Sequence, residues 1–502
     1  MKEYDVIVVG AGNGGLVAAA TIAQAGYKTL LLEKHNLPGG CATSFVRGRF
    51  EFEPSLHELC AEGTSPEITS TKEIFSSLGA IVDLYHEDTL IRAISKDKDG
   101  YDVILHTGRE RFLNDMEKAV PGCRESISRL FDLIGPIDDA QTYTTKGKIN
   151  PFVLMNKHGD FMRLSSHSTE EVEKSLGIPA KARSILNTYW GYLGVPTDDL
   201  CAMHYIALLT SYAEVKPTMP YKRSHEFSLS LIRAFLRFGG EVRYNSEVTR
   251  FLFDKKGRAT GVCVGDEEFH AKKIVSNIMP HNVINRSDPR ALPRRFKRLA
   301  NARKMGMSFS TIYLGLDRSA KELGIKDYSV FIMKDNRPRV QFNERLNLGY
   351  YVVNCLNVAL PNCTPRGTST LFFTIPFMPG DIPKDMTPRA YKEFKNALAE
   401  KFIKDYEETL GVSIMPHIEE ISVATPVTFA RYLGTPEGAI YGYQSEGWDN
   451  IVGRIALEKM DYTIPNLYFC GGHHVRGDGF PSGYITGDST AKQVISDLKE
   501  GK

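Results

Sequence analysis

Apolar and polar positions alternate along this chain with two different periods. Tyr4 to Val9 (Tyr-Asp-Val-Ile-Val-Val) is a nearly unbroken apolar run, the pattern of a strand buried on both faces. Leu16 to Ala25 is rich in alanine and leucine and reads as a helix. Gly26 closes it, because glycine adopts the left-handed C-terminal conformation most easily. Lys28 to Leu32 is a second apolar strand that ends at Glu33. Phe50 and Phe52 alternate with acids, as in a strand with one buried face. Residues 110–133 and 168–209 have helical spacing with many charges. An amphipathic helix is predicted over 229–238, ended by Gly239-Gly240. A short strand at 241–244 follows, then a hairpin of 248–253 and 259–264, and a strand at 269–275. Residues 307–317, 348–358 and 371–376 read as strands of an antiparallel sheet. A charged helix at 388–410, a strand at 466–472 and a final helix at 484–498 complete the order.

The turn after the first strand carries the first chemistry. Gly10-Ala-Gly12-Asn13-Gly14-Gly15 supplies G-x-G-x-x-G between strand and helix. Gly10 permits the tight turn, Gly12 lets a pyrophosphate approach the backbone, and Gly15 lets helix and strand pack closely. The helix N-terminus offers unpaired N–H groups and a positive dipole end to phosphates. Glu33 lies where an acid can accept hydrogen bonds from a ribose diol. Strand, glycines, helix, strand and acid in register predict a dinucleotide site. Pro38-Gly39-Gly40-Cys41 adds a second close backbone approach, which a simple nicotinamide-binding domain does not need.

The C-terminal segment is the second strong signal. Asn466 to Gly472 is a strand ending in glycines, and Gly477-Asp478-Gly479-Phe480-Pro481-Ser482-Gly483 opens the last helix. A glycine-rich helix N-terminus stabilises negative charge placed against it.

Composition adds bounds. A chain of 502 residues holds two or three domains. With 62 basic and 60 acidic residues the net charge is +2, so charge gives no argument for a nucleic-acid partner. No apolar run approaches the roughly 18 residues of a membrane span, and the first strand leaves no room for a signal peptide. Eight scattered cysteines without a C-x-x-C pair favour reduced thiols in a cytoplasmic protein over disulfides or a metal site. One stretch departs from this neutrality. Residues 286–304 hold eight Lys or Arg and one Asp, interleaved with Leu292, Phe296 and Leu299. Such a stretch suits an anionic membrane surface, and equally a solvated helix face.

The glycine turn with Glu33-Lys34 and Gly39-Gly40 resembles the FAD-binding start of the amine oxidase-like flavoprotein superfamily. Gly-Gly-Cys at 39–41 and His57 are similar to its retinol saturase branch. Thr425-Pro426 to Tyr432 and Gly438 to Gly442 resemble a paired late motif of its phytoene desaturase group. Glu53 and Ser55 stand where that superfamily often reads Asp and Gly, and its usual Pro-x-Gly-Gly before the helix at 229 is replaced by Pro220 to His225. The resemblance implies an α/β fold: a discontinuous Rossmann-type FAD-binding domain from 1–60, 225–280 and 415–502, and a mixed α+β substrate domain containing an antiparallel sheet from 61–224 and 281–414. It implies non-covalently bound FAD held by Gly10, Gly12, Asn13, Gly14, Gly15, Glu33, Lys34, Gly39, Gly40, Cys41, Val248, Gly472, Asp478, Gly479, Phe480, Pro481 and Ser482.

It also implies redox or isomerase chemistry at a C=C bond of a hydrophobic polyunsaturated substrate, of the carotenoid, retinoid or fatty-acid kind. The electron donor or acceptor is unknown. Saturation needs hydride at one carbon and a proton at the other, so His57, Glu53 and His474, with His473, are the candidate proton donors or relays. His57 reads equally as a core histidine. The aromatic stretches 188–193 and 205–212 read as core or as cavity lining. Two other classes remain open: an amine oxidase acting on C–N bonds, and a non-catalytic prenyl- or lipid-binding relative.

Overall fold

The computed structural model describes residues 3–62, 69–145, 150–347, 349–450, 453–454, 463–474 and 479–501. β1 (Glu3–Val9), α1 (Asn13–Gln24) and β2 (Thr29–Leu32) form in the predicted order. α1 starts three residues before its alanine-rich run, so Gly14 and Gly15 lie in its first turn. Val6, Ile7 and Val8 are all fully buried, as a strand covered on both faces requires.

β1 sits in the middle of a seven-stranded sheet. On one side it pairs in parallel with β2, and β2 with the strand Glu241–Arg243. On the other it pairs in parallel with Glu267–Ser276. That strand continues into the antiparallel hairpin Val248–Phe253 and Ala259–Val264. Leu467–Phe469 joins the same strand in parallel. Segments from the start, middle and end of the chain thus make one α/β sheet. The helices His225–Arg237 and Gly479–Lys499 both pack on α1. The last contact is backbone to backbone: a β-carbon on Gly487 would lie 2.3 Å from the Gly14 carbonyl oxygen.

A second seven-stranded sheet runs Ile418–Ala424, Ser308–Leu316, Ser369–Phe377, Tyr350–Asn354, Ser329–Met333, Thr89–Ser95 and Tyr101–His106. Its pairings are antiparallel except that between Ser329–Met333 and Thr89–Ser95. The sheet is therefore mixed, and larger than the three predicted strands. Thr89–Ser95 and Tyr101–His106 lie just before the stretch 110–133 read as helical, where no strand was expected. The helical spacing there is also interrupted: Pro121 and Gly122 separate Arg109–Ala119 from Arg124–Asp132, since proline removes a donor from a helix interior. The residues 169–210 form three α-helices and a 3-10 helix over Asn187–Tyr192.

The basic stretch folds as the helix Arg294–Ala302. Phe296 and Leu292 are buried in the core of the first sheet, the Phe296 ring packs on Phe469, and Ala300 is buried as well. The helix's largest apolar side chain, Phe296, faces the protein, and the exposed face is mainly basic. This helix packs on the first sheet, and Ile418–Ala424 pairs within the second; each lies across the domain limit expected at 281 or 415. Among the described residues no helix is long and apolar enough to cross a membrane.

Candidate functional site

The glycine turn folds as the motif requires. Gly10 has φ +95°, and its N–H donates to the Leu32 carbonyl at 2.8 Å. Gly15 acts in packing: a β-carbon there would lie 2.0 Å from the Gly10 carbonyl oxygen. Gly12 caps α1 and has no side chain to satisfy the first-turn N–H groups, which therefore stay available for an anionic ligand. The second glycine pair folds back onto this turn. Gly39 donates its N–H to the Ala11 carbonyl at 2.8 Å and forms a bridge with Gly12. A β-carbon on Gly40 would sit 3.3 Å from the Gly12 Cα. The buried Glu33 carboxylate accepts from the Ala11 N–H at 2.7 Å and the His35 N–H at 2.9 Å, so the backbone fixes its direction. Lys34 donates to the Arg431 carbonyl at 3.3 Å, and burial lowers its pKa. His35 stacks on Tyr432 at 4.1 Å between ring centroids.

These groups line one side of a cavity of about 460 Å³. Gly10, Gly12, Asn13, Gly14, Glu33, Lys34, Gly40, Cys41 and Val248 face it from the N-terminal half, and Gly472, Gly479, Phe480, Pro481 and Ser482 from the C-terminal end. Gly15 and Gly39 do not face it; both are consumed in packing, Gly39 against the Ala42 carbonyl oxygen. Asp478 lies outside the described residues. The two glycine-rich ends meet directly, because a β-carbon on Gly483 would touch the Asn13 Cβ at 3.1 Å. The Asn13 Oδ1 is buried without a hydrogen-bond partner. Free helix N–H groups, a backbone-fixed acid, two backbones meeting without side chains and an orphaned amide oxygen fit a bound dinucleotide.

The same cavity continues into a chamber built by the second sheet and the insertion. Phe309, Thr311, Tyr350, Val352 and Thr374 face it from the sheet, and Tyr192 and Tyr212 from the insertion. The aromatic stretches therefore divide. Tyr192 and Tyr212 are cavity walls, whereas Trp190 and Tyr205 are fully buried core, with their polar atoms bonded to Gln341 and to the Leu186 carbonyl.

The candidate proton donors also divide. His57 faces the chamber. Its Nδ1 lies 3.1 Å from the Tyr192 hydroxyl and its Nε2 2.8 Å from the Thr374 hydroxyl. Burial pushes its pKa down to about 3, so the ring is neutral. Tyr328 donates to the His57 carbonyl. Glu53 does not face the cavity. Its carboxylate accepts from the Ser55, Leu56 and Ser224 N–H groups and from the Ser224 hydroxyl, tying the segment after Phe52 to the start of the helix His225–Arg237. Burial raises its pKa, partly offset by these bonds. Of the paired histidines it is His473 that faces the cavity. His474 lies beside a buried cluster in which Arg303 and Arg454 both bond Asp449 at 2.9 Å. Burial lowers His473 to about 4 and His474 to about 3.

Sequence reasoning missed Glu58, Thr374 and Tyr350. Glu58 faces the chamber and its Oε1 accepts from the Tyr192 hydroxyl at 3.1 Å. Its signal was its position directly after His57. Thr374 and Tyr350 lie within apolar strands and carry no sequence signal of a site. The cysteines are all free thiols. Cys41 faces the cavity, but burial raises its thiol to about 12; Cys470 is buried and its thiol donates to Asn277 at 3.7 Å.

Comparison with known proteins agrees with this geometry. Residues 8–70 match the NAD(P)-binding Rossmann-like domain. The chain is 24% identical to human all-trans-retinol 13,14-reductase over 94% of its own length and 82% of the relative. It is 22% identical to the chloroplastic prolycopene isomerase of Daucus carota, over 99% of its length and 81% of the relative. An oxidoreductase structure from Methanosarcina mazei superposes with a TM-score of 0.65 at 16% identity, covering 99% of this chain and all of that one; at that identity the likeness establishes the fold. Residues 157–495, more than half of the chain, match the flavin containing amine oxidoreductase family, and the chain belongs to that family, with distant full-length homology to retinol saturase and prolycopene isomerase.

Proposed function

We propose that this protein is an FAD-dependent oxidoreductase acting on a C=C bond of a hydrophobic polyunsaturated substrate. The observation that carries the reading is the single cavity joining the glycine cradle to an aromatic and aliphatic chamber. A dinucleotide held at Gly12, Gly40 and Glu33 would extend toward that chamber, whose walls offer apolar surface with a few convergent hydroxyls and one neutral imidazole. FAD, when bound, supplies hydride exchange. The chain's own groups bind the polyene, exclude water and handle the proton. His57, kept neutral by burial, orients the Tyr192 hydroxyl. Glu53 and His474 act as positioning groups, since neither faces the cavity. The names of two relatives, a retinol reductase and a prolycopene isomerase, support a polyene substrate. Saturation is the favoured outcome because Gly39-Gly40-Cys41 and His57 both resemble the saturase branch.

Oxidation of amines is the second reading, and the name of the family favours it. The free cysteines suit a reducing, cytoplasmic setting. Any membrane contact would be peripheral.

The test is anaerobic. The purified protein should be yellow, and acid precipitation should release the flavin to the supernatant. The flavin is then reduced with dithionite and offered a panel of polyenes. Reoxidation with a two-hydrogen mass gain in the polyene supports saturation. Turnover without a mass change identifies an isomerase. Bleaching of the oxidised flavin by amines alone overturns the reading in favour of an amine oxidase. A colourless protein that binds prenyl lipids would instead be a non-catalytic carrier.

A further inference from the structure

Two buried carboxylic acids stand behind the chamber wall. Glu58 is 5% exposed and Glu87 2%. They are held by the adjacent residues Thr218 and Pro217, at the start of the short strand Thr218–Pro220. Leu59 exchanges both backbone hydrogen bonds with Thr218, at 2.9 and 2.8 Å, and Glu87 donates its N–H to the Pro217 carbonyl at 3.0 Å. Glu58 Oε2 and both Glu87 carboxylate oxygens are buried without hydrogen-bond partners. The titratable groups that act with Glu58 are His57 and Cys60 on its own segment, Glu87, and the phenols Tyr189, Tyr192, Tyr212, Tyr328 and Tyr350. Among the described residues none of the groups acting on it is a cation. Two carboxylates so buried, the charge of one acting on the other, do not both ionise at neutral pH, because desolvation and repulsion favour the acid form. At least one proton is therefore stored. Glu58 faces the cavity and Glu87 does not.

We propose that Glu58, backed by Glu87, is the proton store of the cavity, and that it loads the Tyr192 hydroxyl, which is the donor to the substrate carbon. The proposal rests on the C=C reading above. The hydroxyl lies 3.1 Å from Glu58 Oε1 and 3.1 Å from His57 Nδ1, while His57 is anchored on its far side by Thr374 at 2.8 Å. The step balances in protons. The Tyr192 O–H bond breaks as the substrate C–H bond forms on the substrate's own electron pair. The Glu58 proton, carried to Oε1 where that oxygen faces the phenolate at 3.1 Å, then leaves as the Tyr192 O–H bond re-forms. Glu58 is left as a carboxylate and takes its next proton from water at the cavity mouth. Nothing is oxidised or reduced in this transfer. Glu58 acts through Tyr192 and is a positioning and supply residue; Tyr192 is the catalytic one.

The first test needs no substrate. Infrared difference spectra of the flavin-loaded protein across a pH series read protonated carboxyl groups directly. Wild type should show a carboxyl band that persists above the usual glutamate range. Glu58→Gln should lose one component of it, while Glu87 and Glu173, which burial also keeps protonated, hold theirs. Glu87→Gln should keep the Glu58 component, and in Glu58→Gln the Glu87 component should titrate at lower pH, since the Glu58 charge that opposes its ionisation is gone. A Glu58→Gln spectrum identical to wild type, or a Glu87→Gln spectrum without the Glu58 component, overturns the proposal whatever the protein's reaction; the second variant keeps the test open if the first does not fold. The other measurement is turnover with the polyene found above. Glu58→Gln should lower kcat by about tenfold or more, leave KM nearly unchanged and flatten the pH profile, and Glu58→Asp should restore most of it. An unchanged pH profile in Glu58→Gln overturns the supply role. If no polyene turns over while the infrared result holds, the functional reading fails and the acid pair stands as a structural fact.

Discussion

Gly40 approaches Gly12 so closely that a β-carbon on it would lie 3.3 Å from the Gly12 Cα. The two glycine segments, 28 residues apart in sequence, form one backbone surface at the mouth of α1. A β-carbon on Gly12 would itself meet the Asn277 side-chain nitrogen at 2.7 Å. Gly12→Val therefore fills the space a pyrophosphate needs and pushes Asn277 aside. The expected outcome is loss of bound flavin with the second sheet still folded. Absorbance of the purified variant in the flavin band, with circular dichroism for fold, checks it. Full flavin occupancy would show the cradle to be misassigned.

Gly487 is a test of how the last helix is held rather than of the ligand. Its missing β-carbon is what lets Gly479–Lys499 rest on the Gly14 carbonyl. Gly487→Ala forces the two helices apart, and overpacking of this kind costs about 1–3 kcal/mol. Denaturant unfolding should show that loss, and flavin retention should weaken with it because Asn13 and Gly483 are in the same contact. Alanine normally stabilises an exposed helix position, so a gain in stability would contradict the contact.

How far the site could be read from sequence depends on the kind of residue. Gly10, Gly12, Gly40 and Glu33 were legible because a phosphate cradle requires glycine at fixed spacing, and backbone chemistry leaves a local trace. The parallel arrangement of β1 and β2 followed from the same unit. The chamber was not legible. Thr374 and Tyr350 come from strands whose neighbours are uniformly apolar, and only the pairing of Tyr350–Asn354 with Ser369–Phe377 brings them together. The strands Thr89–Ser95 and Tyr101–His106 were missed because a charged turn at 96–100 separates two short runs within a helix-rich stretch. Glu53 was read as a candidate for proton transfer because it is an acid beside the expected ring. Its four donors instead come from Ser55, Leu56 and Ser224, and the last of these is distant in sequence.

Those donors set a prediction for Glu53. Glu53→Gln replaces one acceptor oxygen with an NH2 group that faces N–H or O–H donors. A buried polar group left unsatisfied costs about 1–3 kcal/mol. Chemical denaturation should show a loss in that range. A variant as stable as wild type would mean that the carboxylate does not hold the segment as described.

The basic helix Arg294–Ala302 gives a prediction about surfaces. With Phe296 buried, contact with an anionic membrane is electrostatic only, about 1 kcal/mol for each basic residue near the surface. Pelleting with anionic vesicles should therefore be weak, should fall with added salt, and should fall further when Arg294, Arg295, Lys297 and Arg298 are changed to Glu. Phe296→Ala should act on the fold instead, by about 3–5 kcal/mol. Salt-resistant pelleting, or none at low salt, would reject this account.

The buried imidazoles predict how stability depends on acid. His57 and His474 are pushed down to about 3 and His473 to about 4, in each case chiefly by burial. In the unfolded chain each returns to its ordinary value near 6.5. Between the folded and unfolded values the unfolded state binds the extra proton and the folded state does not. Stability contributed by a neutral imidazole is therefore whole above about 6.5 and is lost as the pH falls toward the folded value, by about 1.4 kcal/mol per pH unit for each group. Glu173, raised to about 8 by burial, slopes the other way. It holds its proton in the fold and loses that advantage as the pH rises from its unfolded value through about 8. The two effects are separated by comparing variants. His57→Gln should lose less stability than wild type on acidification below about 6.5, while Glu173→Gln should lose less on the alkaline side. Denaturant midpoints measured across the pH range check both. If His57→Gln and wild type fall in parallel on acidification, the ring is already charged in the folded protein, and the neutral hydrogen-bonded imidazole beside Tyr192 must be given up.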